Sequence, residues 1–248
     1  MSSRKLKAVL FDMGSTLIEF ENSTWDILGK ACAANGYEFL RRRNLNLPGF
    51  EEFSELLNKE FLKARSEVQD NLGEFRVEKV ALNFFGVLNL STSDGLYHSF
   101  LEVYYKPISD QLTLIDGAED VLKYFKEKNL RIGLVSNTIF PASFHLKELR
   151  RFGLYPYLDG HLFSSQVGVR KPHPQIFVQA LDELNTHPSN AVFVGDRLVE
   201  DVGGAQNVGM KGILRHHENR DYSAAITPDA RIDHLNDLPE AVLSLFAN

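Results

Sequence analysis

Short apolar runs recur along the chain, and each closes on small or polar residues. They fall at 8–11, 132–135, 161–164, 191–194 and 212–214, with a weaker one around Ile232. Runs of this length without alternation predict strands buried on both faces, as in a parallel sheet covered by helices. Most are separated by segments of helical period, so the pattern predicts an α/β fold. Between the first two runs the pattern changes. Phe53, Leu56, Leu57, Phe61 and Ala64 follow helical spacing, and further helical stretches cover about 22–40, 75–88 and 94–105. Ser91 and Asp94 have capping-box-like spacing ahead of the last stretch. Loop signals stand at 44–49, 71–73 and 88–93. A single crossover helix needs far fewer residues than this segment holds, so an inserted helical subdomain is expected.

Composition narrows the class. The chain has 248 residues, 44% hydrophobic and 24% charged, with net charge −6. Such a balance supports a sizeable core and argues against a disordered chain. The acidic excess gives no footprint for nucleic acid or anionic membranes, and neither is expected as a partner. The single cysteine, Cys32, excludes an intrachain disulfide and a cysteine-rich zinc site, and fits a cytoplasmic setting. No apolar run approaches a membrane span, and the patch at 8–11 stops at Asp12, too short for a signal h-region.

Three strand ends and one Lys-Pro segment carry candidate chemistry. The first run ends at Asp12, followed by Gly14, Ser15 and Thr16. Ligands in open α/β sheets bind beyond the carboxyl ends of strands, so Asp12 is a candidate nucleophile or metal ligand, or a helix cap. The second ends at Ser136, Asn137 and Thr138, where a hydroxyl and amides can hold phosphate oxygens or simply form a turn. Lys171 precedes Pro172 and Pro174; it offers a compact positive charge, though most lysines are solvated. A later run leads to Gly195 and Asp196, with Asp201 five residues on, two carboxylates suited to a hard cation. Other features carry less. Gly204 and Gly209 echo P-loop spacing but fit a helix C-terminus better. Arg41–Arg43 reads as a solvated helix end, His216 and His217 as loop residues, and Trp25, Phe53 and Phe61 as packing.

In the order strand–Asp, strand–Ser, Lys-Pro, strand–Gly-Asp-x₄-Asp, the chain resembles the haloacid dehalogenase (HAD) superfamily, in the branch with a helical cap. The resemblance runs through essentially the whole sequence, including FGLYPYLDGHLFSSQVGVRKPHPQIF and RIDHLNDLPEAV. It implies a Rossmann-like parallel core at 1–18 and 108–248, with an all-helical cap at 19–107. It implies Asp12 as the nucleophile, forming an aspartyl-phosphate. Ser136 and the Asn137 amide would bind phosphate, and Thr16 would position the first loop. Lys171 would steady nucleophile and phosphate. Mg²⁺ would be held by Asp12, the Gly14 carbonyl and Asp196, with Asp201 in support. A phosphate dianion and Asp12 sum to −3, which Mg²⁺ and Lys171 balance.

One position departs from the family. Its phosphatases carry a second Asp two residues after the nucleophile, as general acid and base; here it is Gly14. The expected activity is Mg²⁺-dependent hydrolysis of a small phosphorylated metabolite, weakened by that change. The alternatives are a metal-independent 2-haloacid dehalogenase and a HAD-derived binding or regulatory protein.

Overall fold

A computed structural model of the chain describes residues 5–92 and 95–247. The chain divides into two compact units: residues 1–19, 113–138 and 142–248 in one, and 20–112 with 139–141 in the other.

The second unit is helical. It contains α1 (Trp25–Arg41), α2 (Phe50–Ser66), α3 (Val77–Val87) and α4 (Leu96–Gln111). Each helix buries one stripe of apolar residues, as the spacing of Phe53, Leu57 and Ala64 on α2 predicts. The core is aromatic: Phe53 meets Phe84 edge-on at 4.8 Å between centroids, and Phe85 meets Phe100 at 5.3 Å. Gly36 on α1 is required by this packing, because a Cβ there would lie 2.5 Å from the Phe100 ring. Segment 139–141 joins the unit through Ile139, whose carbonyl accepts from the Val77 amide at 2.9 Å. One expectation needs correction. Trp25 does not pack inside; it is 52% exposed, while Phe53 is fully buried. Asp94, the proposed capping partner, lies outside the described residues, and α4 starts after Gly95.

The first unit holds the strands of the described residues: β1 (Ala8–Phe11), β2 (Ile18–Glu19), β3 (Thr113–Leu114), β4 (Arg131–Ser136), β5 (Gly160–Phe163), β6 (Ala191–Gly195), β7 (Lys211–Arg215) and β8 (Ala230–Ile232). Six form one parallel sheet in the order β5-β4-β1-β6-β7-β8. β1 is central and fully buried, with Phe11 opposite Leu134 on one side and Val194 on the other. Burial on both faces removes the two-residue alternation, which is why the strands read as continuous apolar runs. The short antiparallel pair β2–β3 carries no such signal and was not expected. The sheet order reverses at β1 and β6, a topological switch point where ligand sites form beyond the strand ends. The chain is thus a Rossmann-like α/β sheet unit with an inserted helical unit. Among the described residues, no helix is long and apolar enough to cross a membrane.

Candidate functional site

At the switch point, two strand ends place acids side by side. Asp12 follows β1 and Asp196 follows β6, and the Asp12 amide donates to the Val194 carbonyl at 2.9 Å. Asp201 joins them from a wide π-helical turn, Leu198–Gly203, a form found often at functional sites. Its Oδ2 accepts from the Arg197 amide at 2.9 Å. Gly195 permits this approach, because any Cβ there would collide with the Asp201 carboxylate. One oxygen from each of Asp12, Asp196 and Asp201 lies within 4.8 Å of the others.

Lys171 lies inside this cluster and is only 2% exposed, so it is not a solvated lysine. Its Nζ donates to Asp12 Oδ1 at 2.6 Å and lies 2.7 Å from Asp201 Oδ1. The Phe193 ring sits beneath it, 5.0 Å from Nζ to centroid. Local sequence sets its place. His173 caps the helix α5 (Pro174–Glu183) by accepting from the Gln175 amide, and Pro174 opens that helix. Asn137 holds Lys171 from the other side. Its Nδ2 donates to the Lys171 carbonyl at 3.0 Å, and its Oδ1 accepts from the Lys171 amide at 2.8 Å. The sequence had suggested only a role for the Asn137 main-chain amide.

The remaining candidates line the same strand ends. Ser136 closes β4 and is buried. Thr16 is buried, with its Oγ1 lacking a hydrogen-bond partner among the described residues. Gly14 forms a bridge with Ile18 in the first loop. Next to it, Ser15 adopts a left-handed φ of 51° that non-glycine residues seldom take. That conformation is held by hydrogen bonds: its amide donates to Ile18, its carbonyl accepts from Arg215 Nη1 at 2.7 Å, and its hydroxyl donates to Glu19 at 2.9 Å.

The sequence reading missed one cation. Arg220, on the segment after β7, donates from Nε to Asp196 Oδ2 and from Nη2 to Ser15 Oγ at 3.2 Å. Nothing in the sequence marks it, because it reaches the site from a loop without periodicity. Arg220 and Lys171 leave the three carboxylates one charge in excess. Burial, with Asp201 and Asp196, pushes Asp12 up to about 7 despite the adjacent Lys171. Burial and Asp201 push Asp196 up to about 6 against Arg220. Burial disfavours the Lys171 charge, yet Asp12 and Asp201 hold its ammonium above the usual lysine value. Asp196 Oδ1 is buried with no hydrogen-bond partner among the described residues. A divalent cation would satisfy that oxygen and relieve the excess charge, and an all-oxygen donor set suits a hard one.

Known proteins resemble the chain in sequence and in fold. The family model for haloacid dehalogenase-like hydrolases matches residues 6–209. Ribulose-1,5-bisphosphate 5-phosphatase of Halopiger xanaduensis is 29% identical over 216 residues, 84% of this chain and 83% of that protein. Glyceraldehyde 3-phosphate phosphatase of Methanothermobacter thermautotrophicus is 29% identical over 220 residues, 86% of this chain and 87% of that protein. In fold, the chain is similar to 2-haloacid dehalogenase from Pseudomonas syringae pv. Tomato DC3000, with a TM-score of 0.73 and 23% identity, covering 96% and 99% of the two chains. The strand order, the four motifs in their order along the chain and the span of the family match lead to one conclusion: this chain belongs to the haloacid dehalogenase-like hydrolases.

Proposed function

We propose that the chain is a Mg²⁺-dependent phosphatase of a small phosphorylated metabolite, working through an aspartyl-phosphate on Asp12. One observation carries the metal-dependent reading: three buried carboxylates around Lys171, one of them with an oxygen left without a partner. A phosphatase must bring an anionic nucleophile to an anionic phosphate, which demands concentrated positive charge. Asp12, Asp196 and the Gly14 carbonyl would hold Mg²⁺, which when bound supplies charge that offsets the phosphate oxygens. The two curated relatives, both bearing phosphatase names, support the reaction class.

In this reading Asp12 attacks phosphorus and the ester P–O bond breaks, releasing the leaving oxygen with its electron pair. Lys171, fixed by Asn137, keeps the Asp12 carboxylate oriented and partly neutralises the incoming phosphate. Ser136 binds a phosphate oxygen. Water then cleaves the acyl phosphate, returning the Asp12 carboxylate and free phosphate. Gly14 has no side chain to protonate the leaving oxygen, so leaving groups that depart as stable anions are favoured.

Gly14 also keeps the metal-independent dehalogenase in view, as that branch lacks the second Asp as well. The carboxylate cluster speaks against it, since three buried carboxylates exceed the two cations Lys171 and Arg220, and Asp196 Oδ1 keeps no partner among the described residues. The test is a panel of acyl, aryl and alkyl phosphates with and without Mg²⁺, beside 2-haloacids. Metal-dependent phosphate release, steeply favouring acyl and aryl phosphates, is expected. Chloride release from 2-haloacids without metal would establish the dehalogenase instead. Phosphometabolite binding without turnover would establish a binding protein.

A further inference from the structure

We propose that Arg220 is the resident counter-ion of the metal-free site, and that Mg²⁺ must displace its guanidinium from Asp196; this rests on the Mg²⁺ reading above. Arg220 belongs to none of the four motifs, standing 24 residues beyond Asp196. Yet its side chain is only 10% exposed and its Nε grips Asp196 Oδ2, the oxygen next to the unpartnered Oδ1. The other two acids are engaged differently. Asp12 Oδ1 and Asp201 Oδ1 face Lys171, and Asp201 Oδ2 accepts from the Arg197 amide. Asp196 is therefore the carboxylate in the cluster whose charge is met by a residue from outside the motifs.

A guanidinium and a divalent cation on one buried carboxylate repel each other through a poorly screening interior. The segment that carries Arg220 is held independently of the arginine's own contact with Asp196. The Tyr222 hydroxyl lies 3.2 Å from both the Asp196 and His217 carbonyls and accepts from the His217 amide at 2.9 Å. Arg220 can leave Asp196 while Tyr222 keeps the segment on the strand end. The arginine thus stabilises the empty cluster and lowers its affinity for metal.

The experiment is calorimetric titration of Mg²⁺ into the metal-stripped full-length chain, for wild type, Arg220→Gln and Asp196→Asn. Losing a charged hydrogen-bonded competitor should tighten Mg²⁺ binding about tenfold or more in Arg220→Gln. Asp196→Asn should lose binding. A second readout uses unmutated protein: phenylglyoxal modification of Arg220, followed by mass spectrometry, should become several-fold faster when Mg²⁺ is added. Mg²⁺ binding that depends on Asp196 but is equal or weaker in Arg220→Gln, or Arg220 modification unchanged or slowed by Mg²⁺, would overturn the displacement alone. Absence of Mg²⁺ binding in both wild type and Arg220→Gln would overturn the metal reading and the displacement together.

Discussion

Replacing Lys171 with methionine tests whether the buried ammonium is the counter-charge of the acid cluster. Methionine keeps an unbranched chain against the Phe193 ring but removes the partner of Asp12 and Asp201. Breaking a buried ion pair costs about 3–5 kcal/mol, because charge is left uncompensated. The protein has one escape, taking up a proton on a carboxylate. Asp12, raised to about 7 in the folded chain, already carries that proton at pH 5, so removing Lys171 uncovers less charge there, whereas at pH 8 the full ~3–5 kcal/mol appears. The sign follows from linkage: a carboxyl raised in the folded state contributes stability at low pH that is lost as pH climbs through the raised value. Urea unfolding in chelator, followed by far-UV circular dichroism at both pH values, measures the difference. Tryptophan fluorescence is the wrong probe, since the sole tryptophan, Trp25, lies in the helical unit. Equal losses at the two pH values, or a greater loss at pH 5, would refute Lys171 as counter-charge.

Asp12→Asn should leave the far-UV spectrum unchanged and reduce phosphate release at least about a thousandfold, because a neutral amide is no nucleophile; near wild-type release would remove Asp12 from that role. Gly195→Ala should destabilise the sheet unit by about 1–3 kcal/mol, since its Cβ must displace the Asp201 carboxylate, and an unchanged urea midpoint would contradict the geometry. His145 is buried against Phe163, with its Nε2 2.6 Å from Thr138 Oγ1, and burial drives its pKa down to about 3. Between its ordinary 6.5 and that value the unfolded chain takes up a proton that the folded chain refuses, so stability falls as pH falls through this window. Unfolding of His145→Gln across that range should show a slope shallower by up to about 1.4 kcal/mol per pH unit; parallel slopes would mean His145 titrates normally.

Legibility in the sequence followed burial. The inner strands β1, β4 and β6 announced themselves because both of their faces are covered and they read as apolar runs, whereas the edge strand β8, with Arg231 exposed, left only a weak signal around Ile232. The four helices of the second unit showed as well, each with one apolar face toward an aromatic core. The two-residue strands β2 and β3 are too short to leave a period. Among candidate site residues, Asp12, Ser136 and Asp196 were marked by their position after apolar runs, and Lys171 by its prolines. Arg220 could not be found this way, since only the fold carries a loop arginine back to Asp196. Likewise, the hold of the Asn137 side chain on Lys171 joins positions 34 apart and depends on sheet register, which no local pattern encodes.

The placement of β1 at the centre of the sheet bears on how the protein emerges from the ribosome. β1 is translated first, yet its neighbours β4 and β6 begin at Arg131 and Ala191. Asp12 and its lysine are 159 residues apart, so at 5–20 residues per second the acid waits about 8–30 s for its counter-charge. For most of that interval, until β4 is made, an apolar strand that ends fully buried has no neighbour to pair with. The helical residues 20–112 are complete well before then and can pack around their own aromatic core. Synthesis order therefore leaves β1 exposed until its partners follow, and the acid cluster cannot close until Asp196 and Asp201 are made.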